Sequence, residues 1–289
     1  MSRLPLWLAQ HLAAVRVVAV LTVIVGLLYP LAMTGVSQVL SNRADGQPLY
    51  RDGKLVGSAL IGQSFTDSNG NALPKYFQSR PSAAGNGYDP TASGASNLGP
   101  ENDVDTLPDP ADPKSGKQSL LTQICARSKA VGDLEGVDGS RPYCTSDGVG
   151  AVLGVYRADG LTGNVTRVVS LNQACPAIPF MQSYDGVAVE CGKPGEDYSA
   201  ALIVPIRGDA PRKPVVPADA VTASGSGLDP QISPAYADLQ APRIARERHL
   251  PLDRVHALIQ SHTTGRTLGF LGQPGVNVLE LNLALDRES

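Results

Sequence analysis

The chain has 289 residues, with 24 Lys and Arg against 27 Asp and Glu and a formal charge of −3, a balance that excludes the basic footprint of an electrostatically driven nucleic-acid binder. Charged residues make up 18% and aromatics 5%, and the 30 Gly and 23 Pro stay under the roughly 25–30% of low-complexity chains. With 42% apolar residues the chain can furnish one sizeable core or two small ones, so it is globular and loop-rich, with a charge-poor surface.

Val17 to Met33 carries no charge, and reaching back to Leu12 adds only Arg16. Covering about 30 Å of hydrocarbon takes about 20 residues. Residues 12–34 are therefore expected to form a transmembrane helix behind a short tail, residues 1–11. Arg16 snorkels at one end, and Tyr29 and Pro30 suit the opposite interface. A signal peptide would have an apolar region of about 7–15 residues and an A-x-A-like cleavage site, which Ala32-Met33-Thr34-Gly35 matches poorly. Gly26 and Gly35 permit close approach of a neighbouring helix. Positive charge alone does not orient the segment, because Arg3 and Arg16 precede it and Arg43 and Arg51 follow. The clustered cysteines Cys125, Cys144, Cys175 and Cys191 favour an oxidising compartment. The expectation is a single-pass cell-membrane protein with a cytoplasmic N-terminus and residues 35–289 outside the cytoplasm.

Leu49-Tyr50 and Leu55-Val56 flank an Asp52-Gly53 turn and predict a hairpin. Residues 57–100 are rich in Gly, Ser, Asn and Pro, with Phe65, Tyr76, Phe77 and Tyr88 as anchors, and are expected to be ordered loops. Glu101 to Lys117 and Pro211 to Pro217 read as linkers. Ser119 to Val131 has a helical spacing of Leu120, Leu121, Ile124 and Val131. Strand-like runs follow at 151–156, 165–171, 187–190 and 200–206. The four cysteines can pair in three ways, of which Cys125 with Cys144 and Cys175 with Cys191 close the shorter loops. Ser233-Pro234 offers an N-cap and a first helical proline, and Pro242 and Pro251 each favour a new helix start. The alternation of Leu279, Leu281, Leu283 and Leu285 with Glu280, Asn282 and Ala284 predicts a terminal strand over 276–285. The fold class expected is α+β: one transmembrane helix, a mixed α/β domain from 35–131 and 211–289, and a β-rich disulfide-bonded insert at 132–210.

Chemistry is sparse. None of Gly53-Lys54, Gly116-Lys117 and Gly192-Lys193 belongs to a G-x-x-x-x-G-K-[ST] loop. Ser224-Gly225-Ser226-Gly227 does not satisfy G-x-S-x-G. The histidines are few, and the cysteines lack a C-x-x-C pair, so neither catalytic nor metal residues are expected. The neutral polar stretches 57–63, 93–97 and 222–231 fit capped turns, and their oxygens would also suit a weakly hydrated monovalent cation.

Six blocks carry a resemblance: Gly57-Ser58-Ala59-Leu60-Ile61-Gly62-Gln63, Tyr76-Phe77-Gln78-Ser79-Arg80-Pro81-Ser82-Ala83, Ser93-Gly94-Ala95-Ser96-Asn97-Leu98-Gly99-Pro100, the run from Asp219 to Pro230, Gln240-Ala241-Pro242-Arg243, and the run from Val276 to Leu285. In these the chain resembles the C subunit of the bacterial Kdp potassium-transporting ATPase. The resemblance implies a non-catalytic accessory subunit. Its partners would be a potassium-translocating A subunit, an ATP-hydrolysing B subunit, a small F peptide and the lipid bilayer, with no nucleic acid. The subunit would have no cofactor of its own, ATP and potassium being handled by the complex, and it would act as a catalytic chaperone that raises the partner's affinity for ATP. The motif residues implied to serve partner contact or function are Gln63, Arg80, Asn97, Ser224, Asp229, Gln231, Arg243, Asn277 and Asn282. Gln231 stands where the family often has His, which removes a titrating group, and the cysteine-bearing insert exceeds the family's usual connection. A membrane-anchored extracytoplasmic binding module and an envelope hydrolase are the competing readings.

Overall fold

The computed structural model describes residues 5–288. Met1 to Leu4, with the Arg3 of the charge comparison, and Ser289 lie outside the described residues. The chain divides into two units, residues 1–60 and 61–289.

In the first unit, helix α1 spans Leu6–Val39 and is long and apolar enough to cross a membrane. It extends beyond the expected 12–34 at both ends. Its backbone widens to π geometry over Ile24–Leu28, just before Pro30, which has no N–H to give to the carbonyl of Gly26. After a helical turn at Ser41–Ala44, strands β1 (Pro48–Arg51) and β2 (Lys54–Ser58) pair antiparallel. Asp52 and Gly53 take positive φ angles of 50° and 75° at the tip, the backbone of the Asp-Gly hairpin turn read from sequence.

The second unit begins with a long irregular stretch, in which Phe77 and Tyr88 are buried and Phe65 and Tyr76 half-buried. Helix α2 (Leu120–Glu135) follows, capped by Ser119, whose hydroxyl accepts from the Thr122 amide, and stopped at Gly136 in the left-handed region. Residues 101–117 are a packed turn region instead of the linker expected. Asn102 and Asp105 accept from the amides of Leu120 and Ser119, and Asn172 is bonded to the backbone of Asp103 and Asp105. Asp and Asn side chains here satisfy a helix start and a sheet end, which composition alone cannot distinguish from solvated loop residues.

A five-stranded sheet comes next, built from β3 (Val152–Asp159), β4 (Thr162–Ala174), β5 (Ser183–Tyr184), β6 (Val187–Gly192) and β7 (Leu202–Pro205) in the order β5-β6-β4-β3-β7. Only the β4–β6 pair is parallel. Alternation places Val152, Val169 and Leu171 on one face and Leu153, Val155 and Val168 on the other, each face with its own cluster. Disulfides join Cys125 to Cys144 and Cys175 to Cys191, the pairing of neighbours.

The remaining core gathers Phe77, Val216, Ile232, Tyr236, Ile244, Val255, Val276 and Leu281. It is built on β8 (Gln231–Ile232), α3 (Pro234–Arg248), α4 (Leu252–Ser261), β9 (Thr263–Thr264), β10 (Gly275–Asn277) and α5 (Val278–Leu285), with β10 central in a three-stranded sheet. Two expectations are corrected. Pro242 does not start a new helix but lies inside α3. The loss of its N–H, costing about 3 kcal/mol, is offset by the buried side chains of Ala241, Arg243 and Ile244 around it. The strand expected over 276–285 ends at Asn277, and Val278–Leu285 is helical. Val278, Leu281 and Leu285 are buried at helical spacing, Leu, Ala and Glu are strong helix formers, and Asn277 caps the helix by accepting from the Glu280 amide at 3.1 Å.

Candidate functional site

Residues 74–81 form a strap of irregular backbone whose polar groups are met by side chains from distant elements. From α5, Asn282 bonds both the amide and the carbonyl of Phe77, at 2.9 and 3.0 Å. From α3, Gln240 does the same for Gln78, at 2.6 and 3.2 Å. Arg243 donates to the carbonyls of Pro74 and Tyr76. Arg248 donates to the Lys75 carbonyl and lies over the Tyr76 ring. Each is the contact a neighbouring strand would make, supplied here by amides and guanidiniums.

Two buried ion pairs fix these arginines. Arg243 Nε lies 3.0 and 3.1 Å from the two oxygens of Glu135, with both side chains 1% exposed, and Arg248 lies 2.7 Å from Asp286. Burial pushes the Glu135 carboxyl above its ordinary range, against the opposing pull of Arg243.

Downstream, the strap runs into the Asp219 to Pro230 loop. Arg80 pairs with Asp229 at 3.1 Å, Ser226 donates to Asp229, and the Ser224 amide donates to the Pro81 carbonyl. The Ser224 and Ser226 hydroxyls accept from the Gly227 and Leu228 amides and so act as turn caps. Tyr88 donates to the Arg80 carbonyl, and burial pushes its phenol up to about 12, so it stays a neutral donor. Glycine is required where these segments touch. A Cβ on Gly62 would fall 2.4 Å from the Tyr88 ring and 2.5 Å from the Asp229 carbonyl oxygen. Gly227 has a φ of 71°, and its Cβ would meet Ala84 at 2.6 Å.

An open cleft of about 380 Å³ lies over this junction, lined by Arg80, Asp219, Asp229, Gln231, Ser233 and Gln273 among others. Its charges are largely paired internally, since Asp219 also accepts from the Ser233 amide and hydroxyl at 2.7 and 2.9 Å. Arg80 Nε is the one buried side-chain nitrogen or oxygen among the described residues that lacks a hydrogen-bond partner.

Of the nine motif residues, Arg80, Asp229 and Gln231 line the cleft, while Ser224 is buried beneath the loop, bonded to Pro81, Ser226 and Gly227. Asn277 faces Gln231 across the β8–β10 pair. Gln63 supplies the carbonyl that accepts from Ser79. Arg243 and Asn282 grip the strap from within the core instead of lining a surface. Asn97 is exposed with a φ of 53°, a turn position that Asn tolerates, and it is not brought to the cleft. Gln78 and Gln240 lie inside the blocks of the resemblance without being among the nine, and Glu135 lies outside every block. Glu135 left one signal, an acid in the last turn of a helix, where the macrodipole favours a base.

The arrangement suits recognition by a preformed surface more than bond-breaking chemistry. The description "K+-transporting ATPase, c chain" belongs to the family whose sequence model matches residues 11–106 and 201–287. The chain belongs to the KdpC family. The stretch between the two matched parts, 107–200, carries both disulfides, α2 and most of the larger sheet. A potassium-transporting ATPase KdpC subunit of Mycobacterium tuberculosis is 36% identical over 279 residues, covering 96% of this chain and 98% of that relative. KdpC subunits of Kineococcus radiotolerans, at 37% over 278 residues, and Gemmatimonas aurantiaca, at 36% over 280, each cover 96% of this chain and 93% and 92% of their own lengths. These alignments run across the β-rich insert, so the insert has a counterpart in those KdpC relatives although the family model passes over it.

Proposed function

We propose that this chain is the accessory subunit of an ATP-driven potassium uptake pump, with no turnover of its own. Helix α1 anchors it, the N-terminus is cytoplasmic, and residues 61–289 lie outside, where both disulfides are stable. The observation that carries the reading is the interlocking of the family blocks: strap 74–81, loop 219–230, Gln240 to Arg243 and Asn282 are bonded to one another in one rigid junction. Such a junction suits a docking surface for the potassium-translocating A subunit. The ATP-hydrolysing B subunit and a small F peptide complete the complex, which handles ATP and potassium.

With most of the chain outside, any rise in ATP affinity that the subunit confers travels allosterically, by favouring one conformation of the pump. Purification of this chain from membranes of potassium-starved cells tests the assignment. Recovery of the potassium-translocating and ATP-hydrolysing subunits is expected, and recovery of this chain alone overturns it. Calorimetry on the full chain tests the allosteric part, since useful ATP affinity in the absence of partners would overturn that.

A further inference from the structure

The connection between β9 and β10, residues 265–274, folds into a tight tip that turns large apolar side chains into solvent. Thr267 and Leu271 exchange both backbone hydrogen bonds at 2.9 Å. Between them Leu268 takes a φ of +55°, a conformation bulky residues rarely adopt, and Gly269 takes +81°; Gly272, just beyond the pair, takes +80°. Leu268 is 78% exposed, Phe270 67% and Leu271 50%. A water-facing turn gains nothing from three such side chains side by side.

Charge narrows the occupant. No Asp or Glu occurs from Arg254 to Leu279, although acids outnumber bases in the chain as a whole. Within that stretch Arg254 is neutralised by Glu288, and His256 faces Asp238. Arg266, at the base of the tip, is exposed and has no ion-pair partner among the described residues. Apolar side chains at a tip with an unopposed cation at its base complement an anionic lipid surface, acyl region first and headgroups second. Helix α1 ends at Val39, and the pairing of Pro48 with Ser58 shortens the chain path from there to Ile61 to about 50 Å at full stretch. A bilayer crossed by α1 is thus a surface permanently available at high local concentration.

We infer that the tip Arg266–Leu271 is a second membrane contact of this chain, inserting Leu268, Phe270 and Leu271 at the headgroup–acyl boundary of anionic lipid with Arg266 on the headgroups. The inference rests on the reading of α1 as an anchor. The full chain with Phe270→Cys carries a nitroxide in vesicles of phosphatidylethanolamine and phosphatidylglycerol, and its accessibility to oxygen is compared with that to a water-soluble nickel chelate. The cysteines form two disulfides and none is free, so the label has one target. Oxygen access is expected to exceed chelate access. Arg266→Gln, or phosphatidylcholine in place of phosphatidylglycerol, is expected to shift the inserted-to-free ratio about five-fold toward water, the weight of one cation near an anionic surface. Free access of the chelate would overturn the inference. So would access of neither reagent, which would put a protein surface such as a second copy over the tip. A label at Ala19→Cys separates the two readings: chelate access there removes the anchor itself, whereas an oxygen-only signal at 19 with chelate access at 270 removes only the tip contact.

Discussion

The side chain of Asn282 holds Phe77, 205 residues away, by both of its backbone groups. One amide thereby does what a pair of ladder hydrogen bonds would do, at a place where no strand runs.

Replacing Asn282 by Leu leaves the Phe77 amide and carbonyl buried and unpaired. At about 1–3 kcal/mol for each of the two groups, a loss of roughly 2–6 kcal/mol is expected in denaturant unfolding. Asn282→Asp keeps the acceptor for the amide and sets a carboxylate against the carbonyl, so it should fall no nearer to wild type than Leu does. Equal stability of all three would contradict the strap assignment.

The Arg243–Glu135 pair predicts an asymmetry. Arg243→Met strands a buried carboxylate and should cost about 3–5 kcal/mol, whereas Arg243→Met combined with Glu135→Leu should recover only the part due to the stranded acid, because the Pro74 and Tyr76 carbonyls stay without their donor. The pH dependence has a defined sign. Because burial raises the folded carboxyl above 4.5, the folded state holds the proton more tightly than the unfolded chain. Glu135 therefore contributes most below about 4.5 and loses that contribution as pH rises through the folded value. The stability difference between wild type and Glu135→Gln should shrink with rising pH over that window, and a difference that grows would refute the assignment.

Much of the fold was legible because its signals were local. The Asp52-Gly53 turn, the Ser233 cap, the helical spacing after Ser119 and the strand-like runs of the larger sheet each specify their own geometry. The terminal segment misled because its leucines satisfy both periods. What decided it was Asn277 with Glu280 three residues on, a helix-start pattern that alternation obscured. Among the candidate residues, Arg80 and Asp229 were recognisable as motif members, but their pairing across 149 positions has no local trace. Glu135 was invisible for the same reason, since its role exists only once α2 is laid beside α3.

Arg80 and Asp229 are 25% and 40% exposed, and partly screened pairs contribute at most about 1 kcal/mol. Arg80→Met and Asp229→Asn should therefore unfold near wild type yet reduce growth at limiting potassium if the cleft is a docking surface. A large fall in stability with normal uptake would reverse that reading.

At Gly62 no side chain fits between Tyr88 and the Asp229 carbonyl. Gly62→Ala should push Tyr88 away from the 219–230 loop, lower thermal stability and reduce recovery of partner subunits, while Gly265→Ala, with open space around it and no positive φ, should leave recovery unchanged.

The disulfides close segments of 19 and 16 residues, each worth about 3 kcal/mol through the unfolded chain. Cys175→Ser with Cys191→Ser should lower unfolding stability by that order. A pair of serines that costs nothing would show that β4 and β6 need no covalent clamp.

Helix α1 has 34 residues, about 51 Å of rod at 1.5 Å per residue, against about 30 Å of hydrocarbon. Fitting all of it inside would require leaning more than about 50° from the normal, beyond the 0–40° that spanning helices adopt. As a span, the helix must therefore carry about two to four turns past the hydrocarbon, where Trp7, Gln10 and His11 at one end and Ser37 and Gln38 at the other suit the headgroup layers.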